Sequence, residues 1–146
     1  MKLFDLLKNK RYEGEVVDLI KVYEIKEEPS VFYNIVKHGT NKVVGRCDLR
    51  VGMNWELYYA GNIGYFVNVR NRGNAYAYHA CKVLFSIAKN EYNMNEIIIT
   101  CSPDNIASYK TCLNLNGTLL ETAIVPESHW LAQRGENIKY IFGYKL

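Results

Sequence analysis

At Val69 the hydrophobic period of the chain changes, and with it the kind of structure the chain can build. Upstream, Glu15–Ile25 (EVVDLIKVYEI) and Val31–Lys37 (VFYNIVK) are rich in β-branched and aromatic residues and flank Pro29-Ser30, so they read as adjacent strands joined by a turn. A third strand over Lys42–Leu49 follows the turn residues Gly39, Thr40 and Asn41, and a fourth runs over Asn62–Val69, which predicts an antiparallel meander. The intervening VGMNWELYYAG reads as a loop or a frayed strand start. Downstream the spacing is helical. Between Tyr76 and Asn90, the residues Ala77, Ala80, Cys81, Leu84, Phe85 and Ala88 share a face, with Lys82, Ser86 and Lys89 opposite. The nearly all-apolar Glu96–Cys101 (EIIITC) suits a strand buried on both faces, paired in parallel with the strand before the helix through a right-handed crossover. A second helix over Asn105–Leu115 starts behind Ser102-Pro103-Asp104, and strands over Thr118–Val125 and Ile138–Tyr144 flank PESHWLAQRGEN. The fold class is α+β.

A chain of 146 residues suffices for one domain, taken here as 1–146, and is too short for two ordinary ones. Hydrophobic residues make up 49% and charged residues 23%, which implies a packed core and excludes a disordered chain. The net charge of +3 comes from 18 basic and 15 acidic residues spread without Lys/Arg blocks, so nothing nominates nucleic acid or a membrane surface as partner. The N-terminal MKLFDLLKNKRYEGE breaks its apolar stretch at Asp5 and Lys8 and lacks a small-residue cleavage pattern, which argues against a signal peptide and for a cytoplasmic protein. Cys47, Cys81, Cys101 and Cys112 show no CxxC pair and no zinc spacing; reduced, buried thiols and no metal are expected. A homodimer is left open.

Between the fourth strand and the helix lies Arg70-Asn71-Arg72-Gly73-Asn74-Ala75-Tyr76-Ala77. At a helix start the first N–H groups lack intrahelical acceptors and the macrodipole adds about half a positive charge, so an anion such as a pyrophosphate is favoured. Gly73 removes the Cβ that would obstruct close approach, Ala75 is nearly as small, and Arg70 or Arg72 can add charge-assisted hydrogen bonds. The bland reading is an ordinary strand-to-helix turn. A Rossmann site fits poorly, since no GxGxxG precedes the helix and the upstream strands do not suit a doubly wound sheet.

The segment resembles the acetyl-CoA signature R/Q-x-x-G-x-G/A of the GNAT (GCN5-related N-acetyltransferase) superfamily, met by Arg70, Gly73 and Ala75. Asn105 and Ser108 resemble its later N-x-x-S/A motif, and Leu49, Arg50 and Gly52 with the late P-E-x-H-W segment resemble a predicted-acetyltransferase subgroup. The resemblance implies a mixed, mostly antiparallel sheet splayed between the fourth and fifth strands, and acetyl-CoA as cosubstrate. It implies that Phe66, Val67 and Val69 hold pantetheine through their backbone. By the same token, the N–H groups from Arg72 through Gly73, Asn74 and Ala75 to Tyr76 hold the pyrophosphate, and Asn105 touches the arm from across the cleft. The implied activity is acetyl transfer to an amine of a small molecule or peptide, by direct attack in a ternary complex.

An ammonium near pKa 10.4 has no lone pair, so a base is required. The family's usual Glu is replaced by Asn62, which cannot be a base; Glu56, Glu127 and His129 are the candidates, with His129 preferred because imidazole is suited to cellular pH. The family's proton-donating Tyr falls at Cys112, with Tyr109 one turn away as substitute. Each of these also reads as an ordinary residue: Asn105 as a helix N-cap, Cys112 as a buried thiol, Trp130 as a core aromatic. Solvent can serve as base and acid while orientation supplies the rate. The competing class is a catalytically silent acyl-CoA-binding sensor or interaction module. Only five residues separate Ile25 from Val31, no room for the two helices that commonly follow the first strand in this superfamily.

Overall fold

In a computed structural model of the protein, residues 9–146 are described; the first eight positions of the segment weighed above as a signal peptide lie outside them. β1 (Arg11–Tyr12), β2 (Val17–Ile25), β3 (Ser30–Lys37), β4 (Val43–Arg50) and β5 (Ile63–Val67) form an antiparallel sheet in chain order. The two-residue β1 is too short to carry an alternating pattern and was not foreseen. It is tied in through Asp18, a fully buried carboxylate on β2. Asp18 accepts from Arg11 Nη1 at 2.8 Å, from the N–H groups of Gly14 and Gly39 at 3.0 Å each, and lies 2.8 Å from His38 Nδ1. One side chain therefore fastens the N-terminal strand to the far end of the β3–β4 hairpin.

The stretch expected to be a loop holds a helix, α1 (Trp55–Ala60). Asn54 Oδ1 accepts from Leu57 N–H at 2.8 Å, and Gly61 at φ 84° ends it. None of its residues is buried, so no apolar periodicity announced it. α2 (Tyr76–Tyr92) follows the predicted periodicity. Ala80, Cys81, Val83, Leu84, Ile87 and Ala88 are buried against one face of the five-stranded sheet, where Leu19, Ile35, Val44, Cys47 and Leu49 lie in the same core. Burial of Val83, Leu84 and Ile87 stabilises the contact by roughly 2 kcal/mol each. The helix closes on Asn93, whose left-handed φ of 53° suits a C-cap.

β6 (Glu96–Cys101), β7 (Thr118–Ile124) and β8 (Ile138–Lys145) make a second antiparallel sheet ordered β6-β8-β7. α3 (Ile106–Asn114) joins β6 to β7, and the short α4 (Trp130–Gln133) lies in the β7–β8 connection. Ile97, Ile99, Phe142 and Tyr144 from this sheet enter the same core cluster as the first. The expected parallel ladder between β5 and β6 does not form. All ladders among the described residues are antiparallel, and the two sheets meet at a single point described below. Among the described residues no helix is long and apolar enough to cross a membrane.

Candidate active site

The junction of the sheets is Asn62, fully buried at the start of β5. Its N–H donates to Ile98 O at 2.7 Å, and Ile98 N–H donates to Asn62 Oδ1 at 2.8 Å, so the side chain stands where the next ladder carbonyl would be. Its Nδ2 donates to Arg50 O and Gly52 O at 2.9 and 2.7 Å. Every polar atom of this amide is used. Gly61 passes close by, and a Cβ there would lie 3.2 Å from Ile98 O and from Thr100 N. Past Asn62, β5 and β6 form no ladder.

A cleft of about 540 Å³ lies between β5, the start of α2 and α3. Phe66, Val67, Arg72, Gly73, Ala75, Tyr76, Asn105 and Ser108 line it, so most of the expected cofactor residues come together. Tyr65, Lys110, Thr111 and Asn114, which the sequence did not point to, also line it. No carboxylate is among the lining residues, whereas Arg72 and Lys110 are. Val69 and Arg70 do not line the cleft; they sit in a 3-10 turn over Val69–Asn71, and both are exposed. Asn74 is also outside, its Nδ2 donating to Asn71 O at 2.9 Å. Of the two arginines considered for an anion, Arg72 is therefore the one at the cleft. Its Nε donates to Val67 O at 3.0 Å and its guanidinium lies 5.3 Å from the centre of the Phe66 ring.

The backbone entering α2 turns left-handed at Gly73 (φ 88°) and again at Ala75 (φ 58°). Ala75 is the N-cap and makes no side-chain cap hydrogen bond. Helical bonding begins with His79 N–H donating to Ala75 O at 3.1 Å, which leaves Tyr76, Ala77 and Tyr78 N–H without intrahelical acceptors. The other α-helices among the described residues are capped by side chains: Asn54 on α1, Asn105 on α3 and His129 on α4. The longest helix is thus the uncapped one, and its free donors adjoin an acid-free, cation-bearing cleft. Loops with such turns gather N–H groups into an anion-binding concavity.

Asn105 Oδ1 accepts from Ser108 N–H at 3.1 Å, so Asn105 is an N-cap and a cleft residue at once. Across the cleft Tyr65 donates its hydroxyl proton to Ser108 Oγ at 2.8 Å. Burial pushes the Tyr65 pKa well above its ordinary value, and the hydrogen bond to Ser108 opposes this only in part.

The acid and base candidates named from the sequence stand elsewhere. His129 is 1% exposed; Nδ1 accepts from Leu131 N–H at 3.1 Å, which assigns the proton to Nε2, and Nε2 lies 3.0 Å from its acceptor Glu56 O. With both nitrogens engaged and its ring packed against Trp55, Tyr59 and Trp130, His129 caps α4 and locks α1, and no lone pair is free for a substrate. Glu56 and Glu127 are exposed and do not line the cleft. Cys112 is fully buried; its hydrogen bond with the Cys101 thiol and its burial push its pKa far up, which fits a structural thiol and not a proton donor. Tyr109 packs its ring 5.4 Å from Tyr140 and 5.9 Å from Phe142 and does not line the cleft.

The sequence profile described as an acetyltransferase (GNAT) domain matches residues 7–116, three quarters of the chain. The chain belongs to the GNAT acetyltransferase family. No curated protein matches the sequence. Solved GNAT structures are similar in fold. A GNAT-family acetyltransferase from Bacillus anthracis has 18% identity and TM-score 0.62, over 78% of this chain and 65% of that one. The microcin C7 self-immunity acetyltransferase MccE, in complex with acetyl-CoA and AMP, has 20% identity and TM-score 0.62, over 82% and 62%. RimL, a ribosomal L7/L12 alpha-N-protein acetyltransferase in complex with coenzyme A, has 16% identity and TM-score 0.61, over 80% and 62%. The match thus spans less than two thirds of the length of these three GNAT chains.

Proposed function

We propose that this GNAT domain is an acetyl-CoA-dependent N-acetyltransferase that passes the acetyl group directly to an amine of a small molecule or peptide. The observation that carries the reading is the uncapped start of α2 opening on the cleft. Family membership and the CoA-type ligands of MccE and RimL support the same reading. The residues fit the cosubstrate chemically: N–H groups from Gly73 to Tyr78, with Arg72 and Lys110, suit a diphosphate, and Phe66, Val67, Asn105 and Ser108 suit an amide-bearing arm. When bound, acetyl-CoA supplies an acyl thioester. Tyr65 takes the part expected of Cys112 or Tyr109: its hydroxyl meets Ser108 at the cleft and holds its proton, ready for the departing sulfur.

Calorimetric titration with CoA tests the reading. The wild-type protein is expected to give a saturable heat, and Gly73→Glu to lose it, because the substitution forces a side chain into left-handed backbone and sets a carboxylate against the phosphates. Equal heats from the two proteins, or none from either, exclude the cleft as the CoA site. The silent-module alternative draws support from the lack of any carboxylate in the cleft lining; release of thiol from acetyl-CoA in the presence of amines decides against it.

A further inference from the structure

A second cavity, of about 730 Å³, lies on the other face of the first sheet. Along β4 the side chains alternate: Val44, Cys47 and Leu49 enter the core under α2, while Arg46, Asp48 and Arg50 face this groove. Opposite them on β5 stand Phe66, paired with Arg46, and Gly64, paired with Asp48. Tyr65 and Phe66 border the cleft and the groove alike, so the two spaces meet along β5. At Gly64 that strand is bare, and the ends of the Asp48 and Arg50 side chains lie over it: a Cβ would stand 2.5 Å from Asp48 Oδ1 and 2.6 Å from Arg50 Nη2, so both would have to shift.

The groove's charges are not balanced. Arg50 Nε holds Asp48 Oδ2 at 2.8 Å and its Nη1 donates to Ala60 O and Gly61 O, so this arginine is spent on the fold. Arg134 is paired with Glu136 and lies over Trp130. Arg46 makes no ion pair among the described residues; its guanidinium lies 5.2 Å from the centre of the Phe66 ring. Asp48 Oδ1 has no hydrogen-bond donor among the described residues. An open carboxylate oxygen and an unpaired guanidinium therefore stand two residues apart on one strand face, with Cα atoms roughly 7 Å apart.

We propose that this groove is the acceptor site of the transferase, and that it takes a primary amine carrying an anionic group nearby, with its nitrogen at Asp48 Oδ1 and its anion at Arg46. The inference rests on the cleft being the acetyl-CoA site. An acceptor entering as an ammonium gives one proton to Asp48; its freed lone pair forms the C–N bond with the thioester carbonyl carbon as the C–S bond breaks. The bonding pair leaves on sulfur, the second nitrogen proton is released, and the sulfur is protonated, so that amide, free thiol and one proton result. Burial raises the pKa of Asp48 and Arg50 opposes it, the net shift being upward and in the direction that favours a base. Free amino acids, aminoalkyl phosphates and the N-termini of acidic peptides share this chemistry.

Thiol release from acetyl-CoA is measured with glutamate, phosphoserine, 2-aminoethyl phosphate and short peptides with acidic N-terminal residues, against ethanolamine, tryptamine and spermidine. Amines carrying an anionic group are expected to show kcat/KM at least roughly tenfold above those without one, and the peptide and small-molecule arms separate the two sources. Arg46→Glu is expected to raise KM for the anionic amine roughly tenfold or more and to shift preference toward spermidine, with the CoA heat retained. Asp48→Asn is expected to lower kcat about a hundredfold; Arg46→Glu, at an exposed position without an ion pair, carries the test should Asp48→Asn not fold. Spermidine preferred by the wild-type protein, equal use of charged and uncharged amines, or CoA binding without turnover on any amine overturns the acceptor assignment and leaves the cleft reading standing. Absence of CoA binding overturns both.

Discussion

Tyr65 and Asn62 show how much a single side chain can decide in this domain. The hydroxyl of Tyr65 crosses from β5 to Ser108 on α3, and on the proposed reading it hands a proton to sulfur. Tyr65→Phe keeps the ring and removes that proton; kcat for acetyl transfer is expected to fall about a hundredfold with CoA affinity by calorimetry little changed. Unaltered kcat assigns the proton to solvent. Asn62 has a structural task. Asn62→Ala removes the hydrogen-bond partner of Ile98 N–H and of the carbonyls of Arg50 and Gly52, and is expected to cost about 2–4 kcal/mol in urea-monitored unfolding. Neither role was legible in the sequence. A tyrosine in a strand reads as a half-buried sheet residue, and an asparagine where a carboxylate was sought reads only as an unsuitable base. Gly73 and Ala75 were legible as cleft residues because a helix start has the same unmet donors in any fold, whereas Asn105 and Ser108 were reached only through the family resemblance. His129 misled for the opposite reason: its type suits catalysis, but Leu131 N–H and Glu56 O occupy its nitrogens, and the second of these is 73 residues away along the chain.

Asp18 dominates at the level of elements, since it binds β1, the turn after it and the β3–β4 hairpin together. Burial alone would raise its pKa, yet the hydrogen bonds from His38, Gly39, Gly14 and Arg11 outweigh burial and hold it far below the usual carboxylate range. A carboxylate depressed on folding stabilises above its unfolded pKa near 3.9 and loses that stabilisation as pH falls below it. His38 has the reverse sign: the hydrogen bond to Asp18 raises its pKa, so its contribution is present below about pH 6.5 and lost as pH rises through the folded value. Unfolding free energy measured against pH is expected to peak between about 4.5 and 6.5 for this pair. His38→Gln should remove the decline on the alkaline side alone, and Asp18→Asn should remove the acid limb while costing on the order of 2–3 kcal/mol. Long periodic elements such as α2, and the β-rich runs of β2 to β4, were legible to within a few residues. β1 and α1 were not, because two residues show no period and a helix with nothing buried shows none either.

For the whole molecule, the first sheet with α2 and the second sheet with α3 form two walls around a shared core, and the cleft lies where their strands fail to pair. A ligand bound across both walls stabilises them together. At a hundredfold excess over its Kd, CoA is expected to add about 2.7 kcal/mol, a rise in Tm of roughly 5–10 °C by differential scanning calorimetry, with no rise in Gly73→Glu. The upstream meander could be read from the strand pattern and the family from the motifs at Arg70–Ala75 and Asn105–Ser108; the β6-β8-β7 order and the break between β5 and β6 could not, since EIIITC has the composition of a strand buried on both faces and only the resemblance supplied the splay. That break has a mechanical corollary. Because one amide at Asn62 is the sole strand-to-strand fastening among the described residues, the gap beyond it can widen or narrow like a pair of tweezers without rupturing a ladder in either sheet. On the proposed reading, the bore offered to thioesters with bulkier acyl tails is then set at that joint.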